Sequence, residues 1–365
     1  MPQLSRRAFA QLIGTAAAAT TLPLTLLARP AVVPGTVRLS ANENPYGPSA
    51  SALQAMRDAF PQARLYPDEA VDELVAQIAK LHGVSERQVL LGDGSSEILK
   101  LSAMAFTDPK RALVMADPTF EALAIAARIG GADVKTIPLD ASYAHDVNKM
   151  LAAAPGAGLI YVCNPNNPTA TITPDKALRR FLAAVPPETM ILVDEAYHHY
   201  ATSSDYASVM DVVAKQPNLV VSRTFSKIYG IAGLRCGYCV AQESTIKKIS
   251  AQQAWDTVNI MALVAARASL GDQQHVADHR KRNSDTKAWL RSNVERLGFT
   301  MLPSEANFVM IDVRRDVKPV ITAMRANGVR VGRLFPSMPH HLRVTVGTPD
   351  QMQRFVDELT KLKTA

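Results

Sequence analysis

The sequence has 365 residues, of which 47% are hydrophobic and 20% are charged, and these values exclude a disordered chain and favour one large globular domain with a smaller one. The formal net charge is +7, and three of the arginines fall in the first 31 residues. The densest later basic run, RKRNSDTK from Arg280, has the pattern of a solvated helix face, so nucleic-acid binding is excluded. The three cysteines are an odd number, which excludes a disulfide framework.

The N-terminal segment has the pattern of an export signal. The letters SRRAF at positions 5–9 form a twin-arginine motif, and a mildly apolar, alanine-rich stretch follows. That stretch contains glutamine, glycine and proline, so it would make a poor transmembrane helix. We predict a signal segment over residues 1–31 that the twin-arginine export machinery reads, and a periplasmic or exported protein without a stable membrane span. A cytoplasmic protein with an amphipathic N-terminal helix is the alternative.

Strands and helices alternate through the first two thirds of the chain. A helical pattern from about residue 50 to 80 is broken by RLYPDEA. Apolar, strand-like runs then alternate with helical segments, and these runs are VLLGD, RALVMAD, ADVKTIPL, GLIYVCN, MILVDEAY and NLVVSRTFSK. Near-continuous apolar strands joined by crossover helices predict an α/β fold with a mostly parallel sheet covered on both faces. Ligands of such sheets bind beyond the carboxyl ends of the strands.

The last third has longer helices and fewer strands, which suits a smaller α+β domain. We predict an N-terminal arm that contributes to this small domain over residues 32–64, a large ligand-binding domain over 65–270, and the small C-terminal domain over 271–365. Cys236 and Cys239 have the C-x-x-C spacing, but LRCGYCVA reads as a strand, where positions three apart face opposite ways. Both are therefore interpreted as buried apolar residues, and no metal site is predicted.

A phosphate site is predicted where the strand VLLG ends. The next residues, DGSSE at 93–97, open a helix, and the free N–H groups and dipole at a helix start favour an anion. A later arginine and two hydroxyl groups follow another strand and could reach the same anion. The predicted phosphate contacts are Gly94, Ser95, Ser96, Thr224, Ser226 and Arg235.

A lysine in apolar, glycine-rich surroundings gives this site its chemistry. Lys227 ends the run NLVVSRTFSK, and a lysine held there has a lowered pKa and can act as a nucleophile or base. Together with the phosphate site, the strand-end acid Asp194 and the phenol of Tyr197 fit pyridoxal 5′-phosphate, with Lys227 forming a Schiff base and Asp194 keeping the pyridine nitrogen protonated. Asn167 and Tyr197 would hydrogen-bond the ring O3′, and Phe120 would stack on the ring.

Seven motifs in order resemble the class I and II aminotransferases of fold type I, closest to the histidinol-phosphate aminotransferase branch. They are SANENPYGPS, LYPDEA, GDGSSEIL, CNPNNPTAT, VDEAY, TFSKIYGIAGLRCGY and HLRVTVGTP, and the resemblance covers nearly all of residues 38–360. It implies an enzyme that moves an amino group between an amino acid or amino-alcohol phosphate and a 2-oxo acid. It also implies the fold-type I architecture, with a large domain that binds pyridoxal phosphate, and a homodimer.

The resemblance also implies roles for individual residues. Lys227 would be the catalytic lysine that moves a proton between the substrate Cα and the cofactor C4′, and Arg343 would hold the substrate α-carboxylate. Tyr66 would reach the cofactor phosphate of the neighbouring subunit, and Tyr46 would line the substrate pocket.

Some positions depart from the family pattern. Ala170 replaces the glycine of the usual Asn-Pro-Thr-Gly, so we expect a slightly different backbone there. His198 and His199 stand where the branch has an apolar residue and an acid, and they either alter the side-chain pocket or lie at the surface. Arg330 and Arg333 are the candidates for binding a distal phosphate. Two alternatives stay open, namely a decarboxylase or lyase on the same fold and a non-catalytic exported binding protein.

Overall fold

The computed structural model describes residues 35–364, so the predicted leader over residues 1–31 lies outside the described residues. The strands are β1 (Val37–Arg38), β2 (Val89–Gly92), β3 (Ala112–Asp117), β4 (Val134–Pro138), β5 (Ala157–Cys163), β6 (Met190–Asp194), β7 (Leu219–Thr224), β8 (Gly237–Ala241), β9 (Thr300–Met301), β10 (Phe308–Asp312), β11 (Val329–Arg330) and β12 (His341–Thr345).

The α-helices are α1 (Ala50–Ala59), α2 (Asp68–His82), α3 (Ser95–Phe106), α4 (Ala122–Ile129), α5 (Val147–Ala152), α6 (Asp175–Ala184), α7 (Glu243–Ser250), α8 (Ile260–Gly271), α9 (Gln273–Arg296), α10 (Val317–Ala326) and α11 (Pro349–Thr364). Short 3-10 helices lie at Phe60–Arg64, Glu86–Gln88, His198–Tyr200 and Ala232–Leu234. Within the described part of the chain, none of the helices combines the length and apolar character needed to cross a bilayer.

A seven-stranded sheet with the order β2-β8-β7-β6-β5-β3-β4 carries the predicted site. The strands β3 to β7 pair in parallel, and β8 runs antiparallel to both of its neighbours. The predicted α/β fold with a mostly parallel sheet is therefore confirmed. Because the three central strands pair in register, Cys163, Asp194 and Ser222 lie side by side at the carboxyl edge of the sheet.

Alternate residues of the strands belong to two different hydrophobic clusters, one on each face of the sheet. Ile160 and Val162 pack under α1, α2, α5, α6 and α8, whereas Leu159 and Tyr161 pack under α3, α4 and α7. All seven residues of β5 are buried. This two-sided burial explains why the strands read as continuous apolar runs rather than as alternating ones.

A second, three-stranded antiparallel sheet has the order β12-β10-β9 and packs against α9, α10 and α11. Its hydrophobic cluster includes Val309, Phe355 and, from the start of the chain, Leu39. The neighbouring two-stranded sheet pairs β1 with β11 in parallel. The smaller α+β region expected from the sequence is present, and the domain boundaries near residues 64 and 270 stay predictions.

The cysteines are buried, as the sequence indicates. Cys163, Cys236 and Cys239 are free thiols, and each is at most 1% exposed. Cys239 lies in β8 and faces one of the two hydrophobic clusters, while Cys236 belongs to the other. Burial raises the pKa of each thiol, so all three stay protonated near neutral pH.

Candidate active site

A cavity of about 340 Å³ opens at the carboxyl ends of β5, β6 and β7. It is the place where ligands of parallel α/β sheets bind. Most of the predicted site residues line it together, namely Ser95, Ser96, Phe120, Asn167, Asp194, Tyr197, Thr224, Ser226, Lys227, Arg235 and Arg343. Residues 41–43 and the segment around Phe335 complete its wall.

Lys227 follows the end of β7, and its half-buried side chain reaches into the cavity. Its amine donates to the backbone oxygen of Ala41 at 3.4 Å and lies 5.5 Å from the ring centroid of Tyr197. Burial, and then the positive charge of Arg343, lower the pKa of Lys227 to about 8. The neutral, nucleophilic amine is therefore accessible at mildly basic pH.

Asp194 ends β6 and is 2% exposed. Its Oδ2 accepts a hydrogen bond from the phenol of Tyr161 at 3.0 Å, and its Oδ1 accepts from the hydroxyl of Ser222 at 3.2 Å and the N–H of Ala196 at 3.1 Å. Burial raises the pKa of Asp194 to about 6, although these hydrogen bonds and the charge of Lys227 oppose the rise. At neutral pH the group is mainly a carboxylate, which suits it to hold a protonated ring nitrogen.

Tyr197 and Asn167 both line the cavity, and each is held by a different hydrogen-bond partner. The phenol oxygen of Tyr197 accepts from Asn42 Nδ2 at 3.1 Å, and its ring packs edge-on against Phe308 with centroids 5.0 Å apart. Asn167 Oδ1 accepts from the guanidinium of Arg343 at 2.6 Å, which leaves its amide N–H₂ as the donor for a ligand. Both side chains are therefore held in place before any ligand binds.

Arg343 lies in β12 and is held by polar and aromatic contacts. Besides Asn167, its guanidinium donates to the backbone oxygen of Ser40 at 2.9 Å, and it lies 5.2 Å from the ring centroid of Phe335. Its buried Nε has no hydrogen-bond partner among the described residues. Burial lowers the pKa of Arg343, but the group stays charged. Nη1 donates the hydrogen bond to Asn167 and Nη2 the one to Ser40, so each terminal nitrogen retains a second N–H for an anionic ligand.

The predicted phosphate contacts meet at the start of α3. Gly94 caps this helix with φ at 72°, and the guanidinium of Arg235 donates to the Ser96 hydroxyl at 3.1 Å. The hydroxyls of Thr224 and Ser226 lie 3.0 Å apart beside it. Gly94 has φ of 72° and ψ of 162°, a conformation adopted essentially by glycine alone, and a Cβ there would lie 2.1 Å from the guanidinium of Arg235 and displace it. We call Gly94, Ser95, Ser96, Thr224, Ser226 and Arg235 the phosphate cradle.

Sequence reasoning missed several groups at this site. Asn42 holds Tyr197, Tyr161 and Ser222 hold Asp194, and Phe335 forms part of the wall. Ser222 could have been found, because it lies two positions before Thr224 and so shares its side of the strand. Tyr161 resembled an ordinary core residue of an apolar strand, and no signal marked Phe335.

Three predicted contacts, Gly94, Tyr46 and Tyr66, do not line this cavity. Tyr66 is 79% exposed, as a residue that serves a neighbouring subunit would be. Tyr46 packs against His279 with ring centroids 5.3 Å apart and lies 4.9 Å from the guanidinium of Arg282. Tyr46 therefore does not line the cavity of its own chain, and its role in the substrate pocket stays a prediction. Of the two arginines considered for a distal phosphate, Arg333 lines the cavity and Arg330 does not.

The two histidines after Tyr197 lie neither in the cavity nor freely at the surface. His198 and His199 are half-buried, with their Nε2 atoms 3.1 Å apart, and Tyr229 Oη lies 3.1 Å from His199 Nε2. Burial lowers the pKa of both imidazoles well below the ordinary value. They form a neutral polar cluster at the side of the Lys227 segment and do not contact the cavity.

Ala170 stands where the family pattern has a glycine, and the expected difference in backbone from that pattern stays a prediction. It adopts φ of 63°, the left-handed conformation that glycine favours, and it is fully buried. Its N–H donates to Asn166 O and its carbonyl accepts from Glu305 N, both at 2.8 Å. These two bonds hold an alanine in a glycine conformation, at a strain cost of about 1 kcal/mol.

The residues of the cavity fit pyridoxal 5′-phosphate. The phosphate cradle supplies a helix N-terminus, hydroxyls and a guanidinium, which together suit a phosphate dianion. Lys227 offers an amine for an aldehyde, Asp194 a carboxylate for a ring nitrogen, and Arg343 the second N–H of each terminal nitrogen for a substrate anion. Within residues 35–364, no group of three or more histidine, cysteine or acidic side chains is arranged to hold a metal ion.

Comparisons with known proteins agree with this geometry. The family model of the class I and II aminotransferases matches residues 34–359. A histidinol-phosphate aminotransferase of Moorella thermoacetica is 39% identical over 93% of this chain and 89% of its own length. Histidinol-phosphate aminotransferase 2 of Pseudomonas aeruginosa is 39% identical over 89% of each chain.

A solved structure has the same fold. The histidinol-phosphate aminotransferase of Sinorhizobium meliloti, crystallised with pyridoxal-5′-phosphate, is 24% identical with a TM-score of 0.85, covering 90% of this chain and 91% of its own. Fold, cavity and sequence relatives thus agree, and they favour transfer of an amino group over the lyase and binding-protein alternatives. The chain therefore belongs to the class I and II aminotransferases, and it is a transaminase that depends on pyridoxal phosphate.

Proposed function

We propose that this transaminase moves an amino group between an amino acid or amino-alcohol phosphate and a 2-oxo acid, as a histidinol-phosphate aminotransferase does. One observation carries the choice of substrate class. The guanidinium groups of Arg333 and Arg343 lie 4.3 Å and 5.2 Å from the ring centroid of the same side chain, Phe335, in the wall of the cavity. Both guanidinium groups line the cavity on the side of this ring, and after burial the charge of Arg333 contributes to lowering the pKa of Arg343. Two positive groups in one wall favour a substrate with two anionic groups or one phosphate dianion.

Arg333 is available to such a substrate. It forms an ion pair with Glu121 at 2.7 Å, and both side chains are about half exposed, at 51% and 54%. Exposed ion pairs of this kind contribute at most about 1 kcal/mol. A phosphate or carboxylate entering the cavity can therefore displace Glu121 from Arg333. The α-carboxylate of an amino acid would bind at Arg343, which lines the cavity and whose terminal nitrogens each retain a second N–H.

The other residues of the site have distinct proposed tasks. When bound, pyridoxal phosphate supplies an electron-withdrawing ring that stabilises negative charge at the substrate Cα. Lys227 holds the cofactor through its aldehyde and carries the proton at the substrate Cα. Asp194 keeps the pyridine nitrogen protonated, and Tyr197 and Asn167 hydrogen-bond the ring oxygen. Phe120, 37% exposed at the cavity, stacks on the ring.

A panel of amino donors with 2-oxoglutarate tests this proposal. Histidinol phosphate, glutamate and aspartate are expected to be better donors than leucine or alanine.

In Arg333→Gln, KM for histidinol phosphate, glutamate and aspartate should rise about tenfold or more, because a charged hydrogen bond contributes about 1.5–3 kcal/mol, while KM for leucine stays unchanged. Arg343→Gln should raise KM for every amino acid. Lys227→Ala serves as the inactive control. Equal use of neutral and anionic donors would contradict the proposed substrate class.

We infer that the active form is a homodimer in which Tyr66 reaches the phosphate cradle of the neighbouring subunit. The support is an apolar patch next to Tyr66. Phe60 and Leu65 are 65% and 54% exposed, and Tyr66 is 79% exposed. Large apolar side chains exposed together are typical of an interaction surface. A second copy of the chain would cover them.

We also propose export by the twin-arginine route, on the strength of the SRRAF motif and the apolar stretch after it. Because this route requires both arginines, the double variant Arg6→Lys, Arg7→Lys should be retained in the cytoplasm and keep its transaminase activity. Cell fractionation with an activity assay checks this. A periplasmic double variant would remove the proposal and leave the cytoplasmic alternative.

A further inference from the structure

We propose that Tyr161 is a positioning residue for transamination, which fixes the Asp194 carboxylate from behind and weakens it as a base. This inference rests on the proposed role of Asp194. Tyr161 lies in β5, is fully buried, and does not line the cavity. It therefore acts on the reaction only through Asp194.

The two oxygens of Asp194 have different surroundings. Oδ1 accepts from two groups, the Ser222 hydroxyl at 3.2 Å and the Ala196 N–H at 3.1 Å. Oδ2 accepts from the Tyr161 phenol at 3.0 Å, and within the described part of the chain this is the hydrogen bond recorded for that oxygen. Oδ1 is already bonded to Ser222 on the neighbouring strand and to Ala196 in the chain that follows. Because the phenol holds the second oxygen, the three hydrogen bonds together fix the rotation of the carboxylate.

The Tyr161 phenol is a permanent donor. Burial, and then the charge of Asp194, raise its pKa well above the ordinary value for tyrosine, so it keeps its proton at any working pH. The other titratable groups that face Asp194 are Cys163 on β5, Tyr197 on its own segment and Lys227 after β7. Burial keeps Cys163 and Tyr197 protonated and neutral, so the amine of Lys227 is the one of these groups that changes charge.

A hydrogen bond to the ionised form of an acid stabilises that form and makes the carboxylate a weaker base. The proton shared between Asp194 and a pyridine nitrogen then stays on the nitrogen. A protonated ring withdraws more electron density, which is what loss of the Cα proton requires. Without the phenol, the proton would shift toward Asp194 and the ring would become a poorer electron acceptor.

The variant Tyr161→Phe removes the hydroxyl and keeps the ring that packs between the sheet and its helices. Tyr206→Phe is the matched control, because the Tyr206 hydroxyl has no hydrogen-bond partner among residues 35–364. In the cofactor-free protein, ¹³C NMR of the aspartate carboxyls should show the Asp194 pKa raised by about one unit in Tyr161→Phe, since a charged hydrogen bond of roughly 1.5 kcal/mol corresponds to one unit. The control should not change it.

In the loaded enzyme, the ¹⁵N shift of labelled pyridoxal phosphate should move toward the unprotonated value in Tyr161→Phe, and kcat should fall about tenfold with KM unchanged. An unchanged ¹⁵N shift and an unchanged Asp194 pKa would overturn the role of Tyr161. Asp194→Asn separates this failure from failure of the proposed function. If Asp194→Asn is inactive while Tyr161→Phe matches the wild type, only the inference fails; if Asp194→Asn is fully active, the proposed role of Asp194 fails as well.

Discussion

The burial that makes Lys227 chemically useful also makes it sensitive to pH. Its amine is surrounded by the cavity wall, with Arg343 as the main repulsive charge and Glu43 and Asp194 acting in the opposite direction. The pKa of about 8 reflects burial first and Arg343 second. A lysine on a solvated surface would keep a pKa near 10.5 and be almost fully protonated at neutral pH.

The rate at which pyridoxal phosphate attaches to the cofactor-free protein should follow this pKa. Only the neutral amine reacts, and since the pKa is lowered, the reactive form gains as pH rises through about 8 rather than through about 10.5. Stopped-flow measurement of the visible absorbance between pH 6 and 10 gives the midpoint. Arg343→Gln removes a positive charge and should move the midpoint upward. A midpoint above 10 in the wild type would contradict the environment described for Lys227.

Several active residues could be predicted from the sequence because each stands where an apolar strand ends. Asp194 is the last residue of β6 and Lys227 comes three residues after the end of β7, and the parallel sheet brings such positions together. Other contacts could not be predicted. The bond between Arg343 and Asn167 joins residues 176 positions apart, and the Tyr161 hydroxyl is hidden in a strand that looks entirely apolar. Local patterns carry no information on such pairs.

At the scale of elements, the start of α3 and the turn before β8 form one unit. Gly94 and Arg235 both have a left-handed backbone, with φ of 72° and 63°, and the guanidinium of Arg235 fills the space that a side chain at Gly94 would need. The sequence predicted the start of α3, but nothing in it indicated that the Arg235 side chain occupies the space beside Gly94. Strands such as β1, β9 and β11 also escaped prediction, since two residues are too few to show a period.

Gly94→Ala should therefore damage the cradle in a specific way. The new Cβ meets Arg235 and forces a left-handed backbone on alanine, so we expect the free energy of unfolding to fall by about 1 kcal/mol and the dissociation constant for pyridoxal phosphate to rise about tenfold. Gly233→Ala is the control, because a Cβ there has nothing within 4 Å. Thermal unfolding and cofactor titration measure both. Equal effects in the two variants would mean that Gly94 is not needed to seat Arg235.

At the scale of the whole molecule, the proposed homodimer predicts an experimental result that a monomer could not produce. Tyr66→Ala and Lys227→Ala proteins should each have little activity at limiting cofactor. When mixed and allowed to exchange subunits, half of the dimers carry one intact site, with Lys227 from one chain and Tyr66 from the other, so activity should return to about a quarter of the wild type. If activity does not return although mass spectrometry shows exchanged dimers, Tyr66 serves its own chain.

Two segments far apart in the described chain meet beside Lys227. The amine of Lys227 bonds the carbonyl of Ala41, Arg343 bonds the carbonyl of Ser40, and the N–H of Asn42 donates to Thr345 at 2.9 Å across 303 positions of sequence. During synthesis the N-terminal part of this wall waits for β12, whose Thr345 is made 303 positions after Asn42. The cavity is thus assembled from chain segments that are synthesised far apart in time, and its wall is complete only after β12 has been made.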